Sequence, residues 1–431
     1  MSGPGRRLLI ITYYFPPEGS VGAHRWRAMS RWLQRLGHEV TVLTTPAFGR
    51  LTNEGAEIER VFDLAASPAL RRLLRRPPLS NPTDGELQMG AAAAPRIVTD
   101  LLVPDAHVLG WNPAAALAAR RLVRQHGIEC VITSGPPHST HLIPLLLGRR
   151  RPAWIADFRD GWRFEPLRGP WPLPGQSALD RFLERRVAAE ADMTVAVTRP
   201  IADDLAGRLR AGSAWVPNAW DPELEEMVGD ADIPELEPET VNIVHAGKLY
   251  LEGSNRRDPG SLGPALRLLL ERRPDAARRL RILVAGRPDP EEERYLRDLD
   301  PARMIRHLGP LPHDRMLALE RRADALLLVT APRLVSLATG KLFEYLAAGQ
   351  PIIALARGNE AARIVAETGT GVTIPVDDPE GLARAFEAAL DGKLSERYSP
   401  HGLDPYVYPT PARQVAELVE RSVAEKAGAP P

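Results

Sequence analysis

Short apolar runs alternate with amphipathic stretches along the chain. RLLIITYY at 7–14 stops at Pro16-Pro17 and predicts a buried strand. From about Val21 to Leu36, the apolar residues Trp26, Met29, Trp32, Leu33 and Leu36 recur at helical spacing, and Gly37 follows, the residue that best accepts a left-handed helix cap. EVTVLTT at 39–45 reads as the next strand. Strand, helix and strand in this order predict parallel pairing, hence an α/β sheet covered on both faces. CVITSG (130–135), AWIADF (153–158), MTVAVT (193–198) and SAWVPN (213–218) continue the series. Residues 46–100 are rich in Pro, Ala and Arg and poor in periodicity; they read as an insertion of loops and short helices.

A second α/β series begins at VNIVHAG (241–247) and runs through RILVAG (281–286), MIRHLG (304–309), ALLLVT (325–330), PIIALA (351–356) and GVTIPV (371–376). Helical patterns separate these runs, most clearly HDRMLALERRA (313–323) and PEGLARAFEAAL (379–390), and a last amphipathic helix spans about Pro411 to Glu425. The expected organisation is an N-terminal domain over 1–217, a Pro/Asp/Glu-rich linker over 218–240, a C-terminal domain over 241–397, and a crossing segment with a terminal helix over 398–431 that returns to the N-terminal domain. Two such open sheets form a cleft, and ligands sit at the C-terminal ends of parallel strands.

Composition narrows the function classes. Of 431 residues, 44% are hydrophobic and 26% charged, the balance of a soluble globular protein. Lys+Arg and Asp+Glu are both 55, and zero net charge argues against a nucleic-acid binder. Cys130 is the one cysteine, which excludes a disulfide framework or a Cys-cluster metal site. No run reaches the ~18 apolar residues of a membrane span, and the N-terminal run is too short for a signal peptide; the expected location is the cytoplasm. Lysine occurs only at 248, 341, 393 and 426, and the first two fall in strand-end motifs.

The loops after the strands carry the candidate chemistry. In YYFPPEGSVGAHR (13–25), Gly19 and Gly22 flank a turn before a helix, where backbone N–H groups and the positive helix end suit an anion such as a diphosphate; on spacing alone an ordinary strand-to-helix loop is an equal alternative. SGPPHST (134–140) carries His138, and DFRDGW (157–162) carries Asp157, Arg159, Asp160 and Trp162. Carboxylates and a guanidinium suit a hydroxyl-rich substrate, although a lone D-x-R-D reads first as an ion pair tying a loop. HAGKLY (245–250) sets Gly247 and Lys248 at a strand end, with Arg256 and Arg257 beyond, cations suited to a phosphate-bearing ligand. In TGKLFEYLAAGQPIIAL (339–355), Gly340 and Lys341 open a helix, Glu344 lies one turn in, and Gly349 ends it. Free N–H groups and a cation favour an anion there, and Glu344 is placed to accept from two vicinal hydroxyls of a ribose.

Together these segments, with VPNAWD at 216–221, resemble the GT-B-fold nucleotide-sugar glycosyltransferases, in particular the retaining family 4 group. The resemblance covers both halves and leaves out 46–100. It implies two Rossmann-like domains facing across a cleft, with the C-terminal helix crossing back. It further implies that the Gly19–Gly22 loop approaches the donor diphosphate, that Lys248 and Arg257 clamp it, that the backbone of Thr339, Gly340, Lys341 and Leu342 touches the phosphates, and that Glu344 holds the ribose. The base is expected near Gly309–Pro312. Asp157, Arg159 and His138 are the expected catalytic-side residues, Asp157 as an acceptor-orienting carboxylate, with Tyr14, Asp160 and Trp162 on the acceptor.

One position departs from the pattern. The family's first glutamate falls eight residues before Glu344, where this chain has Ser336, so a donor-binding partner without activity stands beside an active branch. The implied reaction is sugar transfer from a nucleotide-diphosphate sugar, UDP-linked first and GDP-linked second, to a hydroxyl of a glycolipid, polysaccharide precursor or natural product. It retains configuration and uses neither metal nor cofactor, in keeping with the lack of a D-x-D-like signature. A sugar-nucleotide epimerase is the competing enzyme class; a phosphorylase would need pyridoxal phosphate on a lysine, which few lysines disfavour. ALRRLLRRPPL (69–79) is basic and amphipathic and reads either as a solvated helix or as a peripheral contact with the inner membrane face, near a lipid-linked acceptor.

Overall fold

The computed structural model describes residues 5–18, 21–49, 56–67, 69, 72, 101–148, 150–166, 169–223, 233, 235–247, 249, 259–286, 292–294, 297, 300, 302–331 and 334–428. The chain divides into two compact units, Met1–Ala219 with Tyr408–Pro431, and Trp220–Val407.

Among the described residues the first unit holds a seven-stranded sheet in the order β3-β2-β1-β4-β5-β6-β7. The strands are β1 (Arg7–Thr12), β2 (Glu39–Thr44), β3 (Glu57–Arg60), β4 (Cys130–Gly135), β5 (Ala153–Phe158), β6 (Met193–Ala196) and β7 (Ser213–Trp215), all paired in parallel. Unbroken apolar runs form these strands because both faces are covered. Leu8 and Ile10 of β1 pack with Trp26, Met29 and Leu33 of helix α1 (Val21–Arg35). The alternate residues Leu9, Ile11 and Tyr13 pack against Trp111 and Ala115 and Leu122 of α2 (Asn112–His126) on the other face. Helices α3 (Gln176–Glu190) and α4 (Arg199–Arg208) complete the layers. The C-terminal helix Thr410–Gly428 adds Val415 and Val419 to the α1 side of this core.

β3 corrects the expected insertion of loops and short helices at 46–100 by adding a strand. Its sequence EIER has a single apolar residue, yet it pairs with β2 as a sheet edge. Thr41 donates to Glu57 at 3.2 Å, and Arg121 pairs with Glu59 at 2.7 Å. An edge strand with charged side chains carries no apolar run to read.

The second unit holds a six-stranded parallel sheet among the described residues, ordered β10-β9-β8-β11-β12-β13. Its strands are β8 (Val241–Ala246), β9 (Leu280–Ala285), β10 (Ile305–Gly309), β11 (Ala325–Val329), β12 (Ile352–Leu355) and β13 (Gly371–Ile374). Its main helices are α5 (Leu262–Arg272), α6 (His313–Arg322), α7 (Gly340–Ala348), α8 (Glu360–Thr368) and α9 (Pro379–Leu390). Side-chain caps set two helix starts: Asn359 accepts from the Ala362 N–H at 3.0 Å, and Asp378 from Gly381 at 2.8 Å. In both sheets the strand order reverses direction beside the first strand, between β1 and β4 and between β8 and β11. Such reversals open a crevice at the strands' C-terminal ends. Among the described residues no helix is long and apolar enough to cross a membrane.

Candidate functional site

In the first unit the loops after β1, β4 and β5 converge beside the reversal. Arg159 follows β5, and its N–H donates to the Gly135 carbonyl at 2.9 Å. Its guanidinium donates to the Pro136 carbonyl and lies 5.7 Å from the centre of the Tyr14 ring. It also packs against Gly22, the second residue of α1: a Cβ there would sit 1.2 Å from Arg159 Nη1. Gly22 is thus the gap that seats Arg159. Burial pushes the Tyr14 hydroxyl up to about 12, against the pull of Arg159, so it remains a proton donor.

His138 stacks on Trp162 with ring centres 5.0 Å apart and planes 8° apart. Burial lowers the imidazole to about 4, with Asp105 and Asp180 pulling upward and Arg159 downward. It is therefore neutral at pH 7, and its Nδ1 is buried without a hydrogen-bond partner among the described residues. Trp162 is fixed from behind by donating to Asp180 at 2.8 Å.

Asp157 occupies a different environment from the expected one. Its side chain is 2% exposed; Oδ1 pairs with Arg25 at 3.0 Å and Oδ2 accepts from Ser134 at 2.9 Å. Arg25, itself 1% exposed, also donates to the carbonyls of Pro217 at 2.7 Å and Val216 at 3.1 Å. Asp157 therefore locks α1, β4, β5 and the VPN loop together and is not an open acceptor-facing carboxylate. Asp160, three residues on, is half-buried. Burial raises its carboxyl above the ordinary carboxylate range, opposed by Arg159.

In the second unit Tyr345 of α7, fully buried, accepts from the Ala246 N–H at 2.9 Å and reaches the Leu327 carbonyl at 3.4 Å. This anchors α7 to the end of β8 and the middle of β11. Lys341, one turn earlier, consequently lies over Gly247: a Cβ on Gly247 would be 2.5 Å from Lys341 Nζ. Gly247 also has φ +85°, a backbone conformation that favours glycine. Thr339 is the N-cap of α7 without a side-chain cap bond, and its Oγ1 is buried without a partner. Gly340 is the first helical residue, Leu342 is buried, and Glu344 is half-buried. Burial raises the Glu344 carboxyl, with His313 and Lys341 pulling it down. Ser336 lies on a turn whose neighbours are pinned to α8: the Glu360 N–H donates to the Val335 carbonyl at 2.8 Å and Ala361 to Leu337 at 3.0 Å.

The sequence reading passed over two residues here. Glu320 of α6 is fully buried, and both its carboxyl oxygens are without a hydrogen-bond partner among the described residues. Burial raises it well above the usual carboxylate range, the Glu344 charge adds to the rise, and Lys341 opposes it. His307, two residues before Gly309, has both ring nitrogens buried without a hydrogen-bond partner among the described residues. Of the remaining expected residues, Gly19, Lys248, Arg256 and Arg257 lie outside the described residues, as does 69–79 apart from Ala69 and Arg72.

Glu320→Gln should flatten the pH dependence of stability. The folded state keeps the Glu320 proton above the unfolded carboxylate value, so wild-type stability falls as pH rises through that window, by about 1.4 kcal/mol per pH unit for one proton. Urea unfolding from pH 5 to pH 8 should show a shallower fall in the variant; equal slopes would contradict a protonated Glu320.

Residues 22–218 match the glycosyl transferase 4-like domain, and residues 243–392 match the glycosyl transferases group 1 domain. No curated protein matches the sequence. Among solved structures the chain is similar to sucrose-phosphate synthase from Thermosynechococcus elongatus, at 14% identity over 97% of this chain and 100% of that one, with a TM-score of 0.63. It is likewise similar to the catalytic domain of starch synthase IV from Arabidopsis thaliana bound to ADP and acarbose, at 12% identity over 97% and 100%, TM-score 0.61. A third likeness is to UDP-GlcNAc 2-epimerase from Neisseria meningitidis bound to UDP-GlcNAc, at 13% identity over 96% and 100%, TM-score 0.52. These likenesses extend to the fold. Two Rossmann-like parallel sheets and two consecutive domain matches make this chain a GT-B glycosyltransferase, a 4-like domain followed by a group 1 domain.

Proposed function

We propose that the enzyme moves a sugar from a nucleotide-diphosphate sugar, a UDP-sugar first among the candidates, to a hydroxyl acceptor, with retention of configuration and without a metal ion or resident cofactor. The observation that carries this reading is the start of α7, whose N-cap makes no side-chain cap bond, with Lys341 lying against Gly247 and Glu344 one turn into the helix. Helix-end N–H groups and an ammonium suit a diphosphate, and a carboxylate one turn on suits vicinal ribose hydroxyls. His307 adds two ring nitrogens, without a hydrogen-bond partner among the described residues, beside the stretch assigned to the base. The ADP of the starch synthase and the UDP-sugar of the epimerase are ligands of the same chemistry in proteins of the same fold.

In this scheme the bond between the anomeric carbon and the diphosphate breaks, and Lys341 stabilises the charge that develops on the leaving group, with Lys248 and Arg257 assigned to it by the family pattern. The acceptor oxygen bonds to the anomeric carbon on the face that the diphosphate leaves, and its proton passes to a diphosphate oxygen. Asp160 orients the acceptor hydroxyl, Arg159 and Tyr14 donate to sugar oxygens, and neutral His138 on Trp162 supplies a ring face and a nitrogen. The family pattern assigns the Gly19–Gly22 loop to the diphosphate as well.

Gly22→Ala should lower donor turnover by roughly tenfold to a hundredfold, because Arg159 must leave its seat, and should cost about 1–3 kcal/mol of stability, as overpacking a buried site does; turnover is therefore compared on folded protein. A variant as active as wild type would remove Arg159 from the chemistry. The reaction class is tested with UDP-, GDP-, ADP- and dTDP-sugars in the presence of EDTA. Slow donor hydrolysis supports the transferase, an isomerised sugar identifies an epimerase, and binding without turnover identifies a donor-binding partner.

A further inference from the structure

Helix α3 sorts its charges by sign. Its acids Asp180 and Glu184 are buried at 4% and 1% exposure. Asp180 accepts from Trp162 and Arg163, and Glu184 from the Arg163 N–H and both Nη atoms of Arg208. The third acid, Glu190, sits at the far end and pairs with Arg186 at 3.1 Å. The outward arc carries Arg181, Arg185 and Arg186, all exposed, interleaved with Leu179 at 47% and Phe182 at 58% exposure. Gln176, buried at the helix start, extends the patch: its amide donates to the carbonyl of Leu101 at 3.1 Å and accepts from the N–H of Leu173 at 2.8 Å. Leu101 and Leu173 are themselves about half exposed.

Large apolar side chains gathered on one exposed face mark an interaction surface. The charges identify what it meets. Two copies of a face on which Arg181 and Arg185 stand beside the Arg186–Glu190 pair, a net positive face, repel one another, whereas arginines interleaved with leucine and phenylalanine suit an anionic headgroup layer over acyl chains. We propose that this face of α3, with Leu101 and Leu173, docks on an anionic lipid bilayer, the apolar side chains entering the headgroup–acyl boundary and the arginines pairing with lipid phosphates. The net charge of the chain is zero, so the attraction is local to this face. On its inner side α3 holds Trp162 through Asp180. If the site reading above is correct, docking brings the acceptor-side loop to a membrane-borne acceptor; the docking itself does not depend on that reading.

The test is co-sedimentation of the full chain with vesicles of phosphatidylcholine alone or with phosphatidylglycerol, at low and high salt, together with light scattering of the free protein. Expected are binding to the phosphatidylglycerol vesicles, weakening with salt, a loss of about tenfold for Leu179→Gln/Phe182→Gln, and about fivefold for each of Arg181→Gln and Arg185→Gln. Circular dichroism checks that these exposed substitutions leave the fold intact. Equal binding to both vesicle types, anionic binding unchanged in the variants, or a dimer in solution that Leu179→Gln/Phe182→Gln dissolves would each overturn the proposal.

Discussion

Arg25→Ala should destabilise the N-terminal unit by about 3–5 kcal/mol, because removing one partner of a buried ion pair strands the other charge. Asp157 would keep only the Ser134 hydroxyl at 2.9 Å, and the carbonyls of Val216 and Pro217 would lose their donor. A loss of that size is a large share of the 5–15 kcal/mol that holds a typical domain together. Denaturant unfolding of the purified variant is the check, and Asp157→Asn in the Arg25→Ala background separates the stranded charge from lost packing. If the stranded charge dominates, the double variant recovers part of the loss. An Arg25→Ala protein as stable as wild type would contradict the account of this pair.

Lys341→Ala should lower kcat/KM for the donor by roughly a hundredfold to a thousandfold, the usual loss on removing one donor that stabilises a developing negative charge, about 2.7–4 kcal/mol. The side chain lies against Gly247 at the end of β8, on the first turn of a helix anchored by the fully buried Tyr345. Its ammonium also pulls the buried Glu320 and Glu344 carboxyls down, so unfolding is measured beside turnover and the comparison made on folded protein. Steady-state turnover of the nucleotide sugar at saturating and limiting donor reads the effect. Unchanged kcat/KM would remove Lys341 from the diphosphate.

Much of the architecture was legible because parallel strands buried on both faces are unbroken apolar runs. CVITSG, AWIADF and ALLLV coincide with β4, β5 and β11 to within a residue. β3 escaped because an edge strand needs no such run, and EIER finds its register only through its pairing with β2.

The candidate site was legible where a residue's meaning is local. Lys341 and Glu344 declare themselves by their offset from a helix start. Asp157 did not: D-x-R-D points to a neighbour, but its partner is Arg25, 132 residues away in sequence. Gly22 was read as a loop glycine, whereas its lack of a side chain seats Arg159. Glu320 precedes two arginines and reads as part of a solvated run. Its burial arises from the packing of α6 against α7, a tertiary fact with no local signature.

The central claim is that the start of α7 takes the nucleoside diphosphate of the donor through Lys341, helix-end N–H groups and Glu344. Calorimetric titration of UDP, GDP and ADP into the wild-type protein and Glu344→Ala, both in EDTA, tests it most directly. Saturable binding of at least one nucleotide to wild type, weakened about tenfold or more in the variant by loss of hydrogen bonds to a charged group, is the predicted result. No binding of any nucleotide, or the same Kd in both proteins, would contradict it.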